Sequence, residues 1–211
     1  MNTKPNPARL SLALLSGGNS ERMGQDKALM SFLGRPLILR ILERLTPLAD
    51  ETIISTNRPG EYVFLGLPTC PDLRPGNGAL GGLYTSLAVA KFPYVVATAC
   101  DMPFVSPSLF EYERDLLIES GADVVIPATP EGLEPLHAIY RRETCLPAIE
   151  AALDAWKLKL VGWLSEVKVE TVPSEVRIRF DPQGLAFWNL NTPEEFRKAE
   201  ERAKLESQLP A

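Results

Sequence analysis

The sequence predicts an α/β fold, a single three-layer domain with a mostly parallel sheet. Three observations carry that expectation. Apolar or β-branched runs of strand length alternate with segments of helical periodicity along the whole chain. The first run, Leu10 to Leu15, is dominated by Leu and Ala without polar alternation, which suits a strand buried on both faces. Several runs end abruptly in Gly, Asn or Asp, as strands do when their loops gather on one edge of an open sheet. Right-handed crossovers are expected to bring those strand ends together.

In chain order, residues 1–8 read as a loose arm, 9–205 as the domain and 206–211 as a tail. Apolar residues at Leu37, Ile38, Ile41, Leu42 and Leu45 have the spacing of an amphipathic helix, and Pro36 suits its first position. Thr52 to Thr56 is a short strand ending at Asn57. Tyr62 to Cys70 holds a turn and a further short strand, leading to Asp72. A second Gly-rich loop, Leu73 to Gly82, precedes a helix over Leu83 to Ala90. Tyr94 to Cys100 is a buried strand that stops at Asp101. Ser106 and Pro107 suit the N-cap and first position of a helix running to Ser120. Strands follow at Asp123 to Ala128 and Leu136 to Arg141, then helices at Glu143 to Ala155 and Leu158 to Val167, then a strand at Val169 to Val172. Thr192 and Glu195 make a capping-box pattern that opens a last helix to Leu205.

The 211 residues, 45% hydrophobic, suffice for one sizeable core. A formal net charge of −5 without any basic block argues against nucleic acid as a partner. No apolar run approaches transmembrane length, so no membrane partner is expected, and Leu10 to Leu15 is too short for a secretory signal. Cys70, Cys100 and Cys145 are widely spaced and form no C-x-x-C, which disfavours a zinc site or disulfide framework and fits a reduced, cytoplasmic setting. The single histidine, His137, rules out a multi-histidine metal centre. It reads as a structural residue near the site, since no G-x-S-x-G elbow exists to partner it in a triad.

The chemistry gathers at the end of the first strand. Gly17 and Gly18 let backbone N–H groups approach a ligand, and successive free N–H groups form an anion-binding concavity. Arg22 and Lys27 add fixed positive charge suited to phosphate. Neither G-x-x-x-x-G-K-[ST] nor G-x-G-x-x-G is present, so P-loop and dinucleotide-binding readings are unsupported. The same residues also fit an ordinary Gly-rich connection with solvated charges. Asp101 leaves a buried strand into Met102-Pro103, where one carboxylate can hold Mg²⁺; it equally fits a helix cap or turn before Pro103. Asn191 can reach substrate phosphate or metal, or can merely cap the helix that follows.

The order LLSGGNSERMGQDKALMSFLGRPLI resembles the N-terminal signature of the molybdenum cofactor guanylyltransferases and their nucleotidyltransferase relatives, LAGG-x-S-x-R-M-G-x-D-K-A-L…G-x-P-L. Residues in step include Leu15, Gly17, Gly18, Ser20, Arg22, Met23, Gly24, Asp26 and Lys27, while Ser16 stands where the family usually has Ala. ACDMPFV resembles the family's CDMP segment. PDLRPGNGALGGL resembles its P-D…G-P-L-A-G segment, with Gly78 to Gly82 departing from the commoner run. GLEPLHAIYR and FWNLNTPEEF resemble its E-P-L-x-A-x-Y and N-x-N-T-P segments, and the likeness is weakest from Leu146 to Asp181.

The resemblance implies a Rossmann-like nucleotidyltransferase fold of the nucleotide-diphospho-sugar transferase type. It implies transfer of GMP from GTP to the phosphate of molybdenum-bearing molybdopterin, with molybdoenzymes or their chaperones as further partners. GTP contacts are implied for Leu15, Ser16, Gly17, Gly18, Lys27, Asn57, Asp72 and Asp101. Catalytic roles are implied for Arg22, Lys27 and Asp101, with Asp101 holding Mg²⁺, and Asn189 and Asn191 are implied on the pterin side. Gly17, where the cytidylyl branch usually has Ala, leaves room for a purine. Two alternatives stay open: a molybdopterin cytidylyltransferase-like or other nucleotidyltransferase, and a non-catalytic nucleotide- or cofactor-binding protein. The presence of Arg22, Lys27 and Asp101 together favours an enzyme.

Overall fold

Leu10–Leu15 (β1) is buried at every residue, and the sheet is built outward from it. The computed structural model describes residues 9–17 and 26–206. A small antiparallel hairpin, Ser31–Phe32 (β2) with Arg35–Pro36 (β3), leads into Leu37–Leu45 (α1), which buries the five apolar residues of its stripe. Glu51–Ser55 (β4) and Thr69–Cys70 (β5) follow, then Gly78–Val89 (α2) and Tyr94–Ala99 (β6). These strands lie in the order β6-β1-β4-β5, each parallel to its neighbour. The chain thus builds outward from β1 to β5 and returns across it to β6. That reversal is a topological switch point, and ligands of open α/β sheets bind outside the strand ends there.

Beyond β6 come Pro107–Ser120 (α3), Val124–Thr129 (β7), Gly132–Leu133 (β8), His137–Arg141 (β9) and Arg142–Asp154 (α4). Val169–Val172 (β10), Ser174–Phe180 (α5) and Pro193–Glu206 (α6) complete the chain of elements. β9 runs antiparallel between β6 and β7, so it is the start of β9, not its end, that lies beside the end of β6: Thr98 faces His137. Apart from β9 and the short β8, which pairs antiparallel with β7, the sheet is parallel. Leu12, Leu14, α1, α3 and α6 pack on one face, and Ala13, Leu15, α2 and α4 on the other. This gives the three layers the sequence predicts. Among the described residues no helix is long and apolar enough to cross a membrane. Cys70, Cys100 and Cys145 are free thiols.

Four expectations change. α1 and α3 share a face although their crossovers run in opposite directions along the sheet. The two crossovers therefore have opposite hands, with β9 set between the strands that α3 joins. Second, α2 begins at Gly78, inside the stretch expected as loop. A Cβ on Gly81 would lie 2.9 Å from the Arg74 carbonyl oxygen, so the glycine permits a close approach of helix to loop. Third, Leu158 to Val167 is not a helix. Gly162 N–H donates to the Lys159 carbonyl in a turn, and one 3₁₀ turn at Leu164–Glu166 follows. Fourth, α5 was not foreseen; it buries no residue fully, so its sequence carries no clean apolar stripe.

Candidate active site

A cleft of about 750 Å³ opens at the switch point, within the range of small-molecule sites. Leu15, Ser16 and Gly17 enter it from the end of β1, Asn57 from the end of β4, Asp72 from beyond β5, and Cys100 and Asp101 from the end of β6. Lys27 and Asn189 also line it. Gly18 and Arg22 lie outside the described residues, as do residues 1–8 and 207–211.

The centre of the cleft is one ammonium. Lys27 Nζ donates to Asp101 Oδ2 at 2.9 Å and to Asn191 Oδ1 at 2.8 Å, joining groups 74 and 164 residues away along the chain. The Lys27 and Asp101 side chains are each 17% exposed, so neither is a freely solvated surface charge. Neither Asp101 nor Asn191 is a helix N-cap; Asp101 stands in the turn that leaves β6. The N-cap of α3 is Ser106, whose Oγ accepts from Leu109 N–H at 3.3 Å. At α6 the capping box uses Thr192: its Oγ1 accepts from Glu195 N–H, while Glu195 Oε2 accepts from the N–H groups of Thr192 and Asn191. The Asn191 side chain is left to turn toward Lys27. Leu190 N–H donates to the Asp101 carbonyl at 3.0 Å, tying this segment to the end of β6.

Asn57 and Asp72 hold each other through two bonds. Asn57 Nδ2 donates to Asp72 Oδ2, and the Asp72 N–H donates to Asn57 Oδ1, both at 2.9 Å. A Cβ built on Gly17 meets nothing within 4 Å among the described residues, and Gly17 lines the cleft.

Lys27 is held from behind by residues the sequence reading did not single out. Asp26 caps the 3₁₀ turn Lys27–Leu29, its Oδ1 accepting from Ala28 N–H at 3.1 Å. Its Oδ2 accepts from the hydroxyl of wholly buried Tyr62 at 2.7 Å, and that hydroxyl also bonds the Ser16 Oγ. Ser16, the residue that departs from the family's Ala, therefore spends its side chain on this strut. No local pattern links Asp26 with Tyr62, 36 positions on.

Asp101 is the carboxylate that fits a divalent cation. Asp26 and Asp72 are occupied by backbone, tyrosine and asparagine donors, whereas the Asp101 carboxylate pairs, among the described residues, with a lysine that phosphate can draw away. Among the described residues no three His, Cys, Asp or Glu side chains gather into a metal site of their own, so such a cation would take most ligands from water and phosphate. The Cys100 thiol is no nucleophile: burial, with the Asp101 charge beside it, pushes it up to about 12.

His137 is absent from the cleft. Its ring is wholly buried, stacked on Phe110 at 3.9 Å and met edge-on by Phe187 at 5.0 Å. Nδ1 lies 3.2 Å from Glu113 Oε1. Burial lowers the His137 pKa to about 3 and raises that of Glu113 well above the usual carboxyl range, so burial disfavours the charged form of each.

Residues 12–167 match the MobA-like NTP transferase domain. The chain is 37% identical over 186 residues to a probable molybdenum cofactor guanylyltransferase of Pelotomaculum thermopropionicum, covering 88% of this chain and 89% of that protein. It is 35% identical over 195 residues to a molybdenum cofactor guanylyltransferase of Desulfosudis oleivorans, covering 90% and 94%. The crystal structure of molybdopterin-guanine dinucleotide biosynthesis protein A from Archaeoglobus fulgidus superposes with a TM-score of 0.80 at 29% identity, over 92% of this chain and 99% of that one. The domain match runs through every strand that meets at the switch point, and the likeness extends nearly end to end: the chain is a nucleotidyltransferase of the MobA-like NTP transferase family.

Proposed function

We propose that the protein transfers GMP from GTP to the terminal phosphate of molybdenum-bearing molybdopterin, releasing pyrophosphate and forming a guanine dinucleotide cofactor. The carrying observation is the Lys27 ammonium, bound at once to Asp101 at the nucleotide end and to Asn191 at the other. The full-length relatives named as guanylyltransferases support the same reading.

A phosphate oxygen of the second substrate attacks the α-phosphorus of GTP. The bond from that phosphorus to the bridging oxygen breaks, and pyrophosphate leaves with the electron pair. No general base is required, because the attacking phosphate is already anionic. The backbone N–H groups at Gly17 and Gly18 cradle phosphate. Lys27 swings from Asp101 to the phosphates, and with Arg22 it offsets the charge that builds on the α-phosphoryl group and the leaving pyrophosphate. Asp101 would hold Mg²⁺, which when bound neutralises phosphate charge and orients the leaving group. Asp72, braced by Asn57, accepts from guanine N–H groups; Leu15 and Ser16 wall the nucleoside end. Asn189 and Asn191 face the second substrate. The three free thiols fit a cytoplasmic enzyme.

Calorimetric titration with GTP, CTP and ATP, each with Mg²⁺ and repeated on Asp101→Ala, tests this. Mg²⁺-dependent binding of GTP alone, weakened in the variant, is expected. A preference for CTP would move the protein to the cytidylyl branch. Binding without turnover on adding molybdopterin would make it a non-catalytic carrier.

A further inference from the structure

A second cleft, of about 590 Å³, meets the first at Asn189, which lines both. Its walls come from the β7–β8 hairpin, α5 and the segment before α6. Glu134 stands on one wall, half-buried, with Oε1 accepting from Thr129 Oγ1 at 3.2 Å. Arg177 stands on another. Its Nε is buried and has no hydrogen-bond partner among the described residues, and its guanidinium lies 5.9 Å from the Phe187 ring. Phe187 and Trp188 supply aromatic surface. They are held firmly: Asp181 accepts from the Leu185 and Ala186 N–H groups, Trp188 stacks on Phe104 and Phe187 packs on His137.

We propose that this second cleft takes the flat aminopyrimidinone ring of the second substrate and that Glu134 recognises its amino edge. The inference rests on the guanylyl-transfer reading, and it adds the specificity residue. A carboxylate presents two acceptor oxygens side by side, which matches the neighbouring ring N–H and exocyclic amino donors of such a ring. The aromatic wall offers a face on which a flat ring stacks. Arg177 brings donors for the ring's acceptor atoms; burial, with the Glu131 charge nearby, raises the Glu134 pKa, and the Thr129 hydroxyl and Arg177 partly offset that rise. Asn189, at the junction, lies where the chain joining ring to phosphate must pass into the first cleft.

Guanine carries the same amino edge, so the test must tell a pterin from a second GTP. The probes are 6-hydroxymethylpterin and 6-hydroxymethyl-lumazine, whose ring has oxygen in place of the 2-amino group. Each is titrated by its own fluorescence in the presence of saturating GTP and Mg²⁺. The wild-type protein is expected to prefer the pterin by roughly tenfold or more, since a site built to bond a donor rejects the analogue that lacks it. Glu134→Gln should bring the two probes within about threefold of each other while GTP affinity stays within about twofold. With molybdopterin as substrate, the same variant should raise the KM for molybdopterin and leave the KM for GTP unchanged. Failure of the wild type to bind pterin, displacement of pterin by GTP, or a preference that survives Glu134→Gln overturns the inference. If GTP does not bind but the pterin preference behaves as expected, the guanylyl reading fails and the second cleft stands.

Discussion

Replacing Tyr62 with Phe removes one hydroxyl and tests whether the lysine at the cleft is braced from behind. The ring is wholly buried and Phe keeps its shape, so packing is preserved. The hydroxyl donates to the Asp26 carboxylate at 2.7 Å and bonds Ser16. A buried bond to a charged acceptor contributes about 1.5–3 kcal/mol and a neutral one about 0.5–1.5 kcal/mol, so the loss should be roughly 2–4 kcal/mol. Ser16→Ala removes only the neutral bond and should cost about 1 kcal/mol. Urea denaturation of both variants gives the comparison, with m unchanged if the native state stays compact. For a chain of this size the Tyr62→Phe loss corresponds to a fall in Tm of roughly 5–15 °C. Asp26 also caps the turn that carries Lys27, so GTP turnover should drop together with stability. A Tyr62→Phe protein within about 0.5 kcal/mol of wild type, with normal turnover, would refute the strut.

Three other outcomes follow from the same geometry. Lys27→Met should lower kcat by about 10²–10³-fold in a pyrophosphate-release assay, the usual consequence of losing one preorganised group that faces developing charge. Gly81→Ala places a Cβ 2.9 Å from the Arg74 carbonyl oxygen; the backbone must shift, costing roughly 1–3 kcal/mol by urea denaturation and weakening GTP binding as the loop bearing Asp72 moves. Glu113→Gln separates the two buried groups by pH. Because the folded-state pKa of Glu113 is raised, its stabilising share is complete below the unfolded carboxyl pKa and is lost as pH rises. The variant should therefore be more stable than wild type at pH 7, with the gap closing toward pH 4. His137 has the opposite sign: its pKa is lowered to about 3, so its stabilising share is present above the unfolded value near 6.5 and falls away as pH drops toward 3.

What could be read in advance follows the range of each interaction. β1, α1, β6, α3 and the capping box of α6 are written in local patterns: an apolar run, a stripe, a Ser-Pro start and a Thr-x-x-Glu box. Asp101, Asn57 and Asp72 stand at or just beyond strand ends, where the topology gathers them, and Lys27 joins them from the 3₁₀ turn that Asp26 caps. The rest depends on pairs far apart in sequence. The Tyr62 strut, the reversed course of β9 and the Glu134–Arg177 wall leave no periodic trace. Glycines mislead for a related reason. Those at Gly81 and Gly82 read as loop formers, yet they lie within α2, where the smallness of Gly81 serves close packing.

The Lys27–Asp101 contact also explains how a cleft with few protein ligands can be ready for a highly charged substrate. Without phosphate, an isolated ammonium and an isolated carboxylate at 17% exposure would each bear a desolvation cost. Paired at 2.9 Å they neutralise one another and hold the ends of two separate loops in register. An arriving triphosphate competes for the ammonium, and its counter-cation for the carboxylate, so the exchange swaps one set of ion contacts for two. Asn191 keeps Lys27 aimed into the cleft while its other partner changes. Under the proposed guanylyl transfer, that would make the C-terminal segment part of the nucleotide site as well as a wall toward the second substrate. It accounts for why a residue 164 positions from Lys27 must be fixed by a capping box and by the Leu190–Asp101 backbone bond.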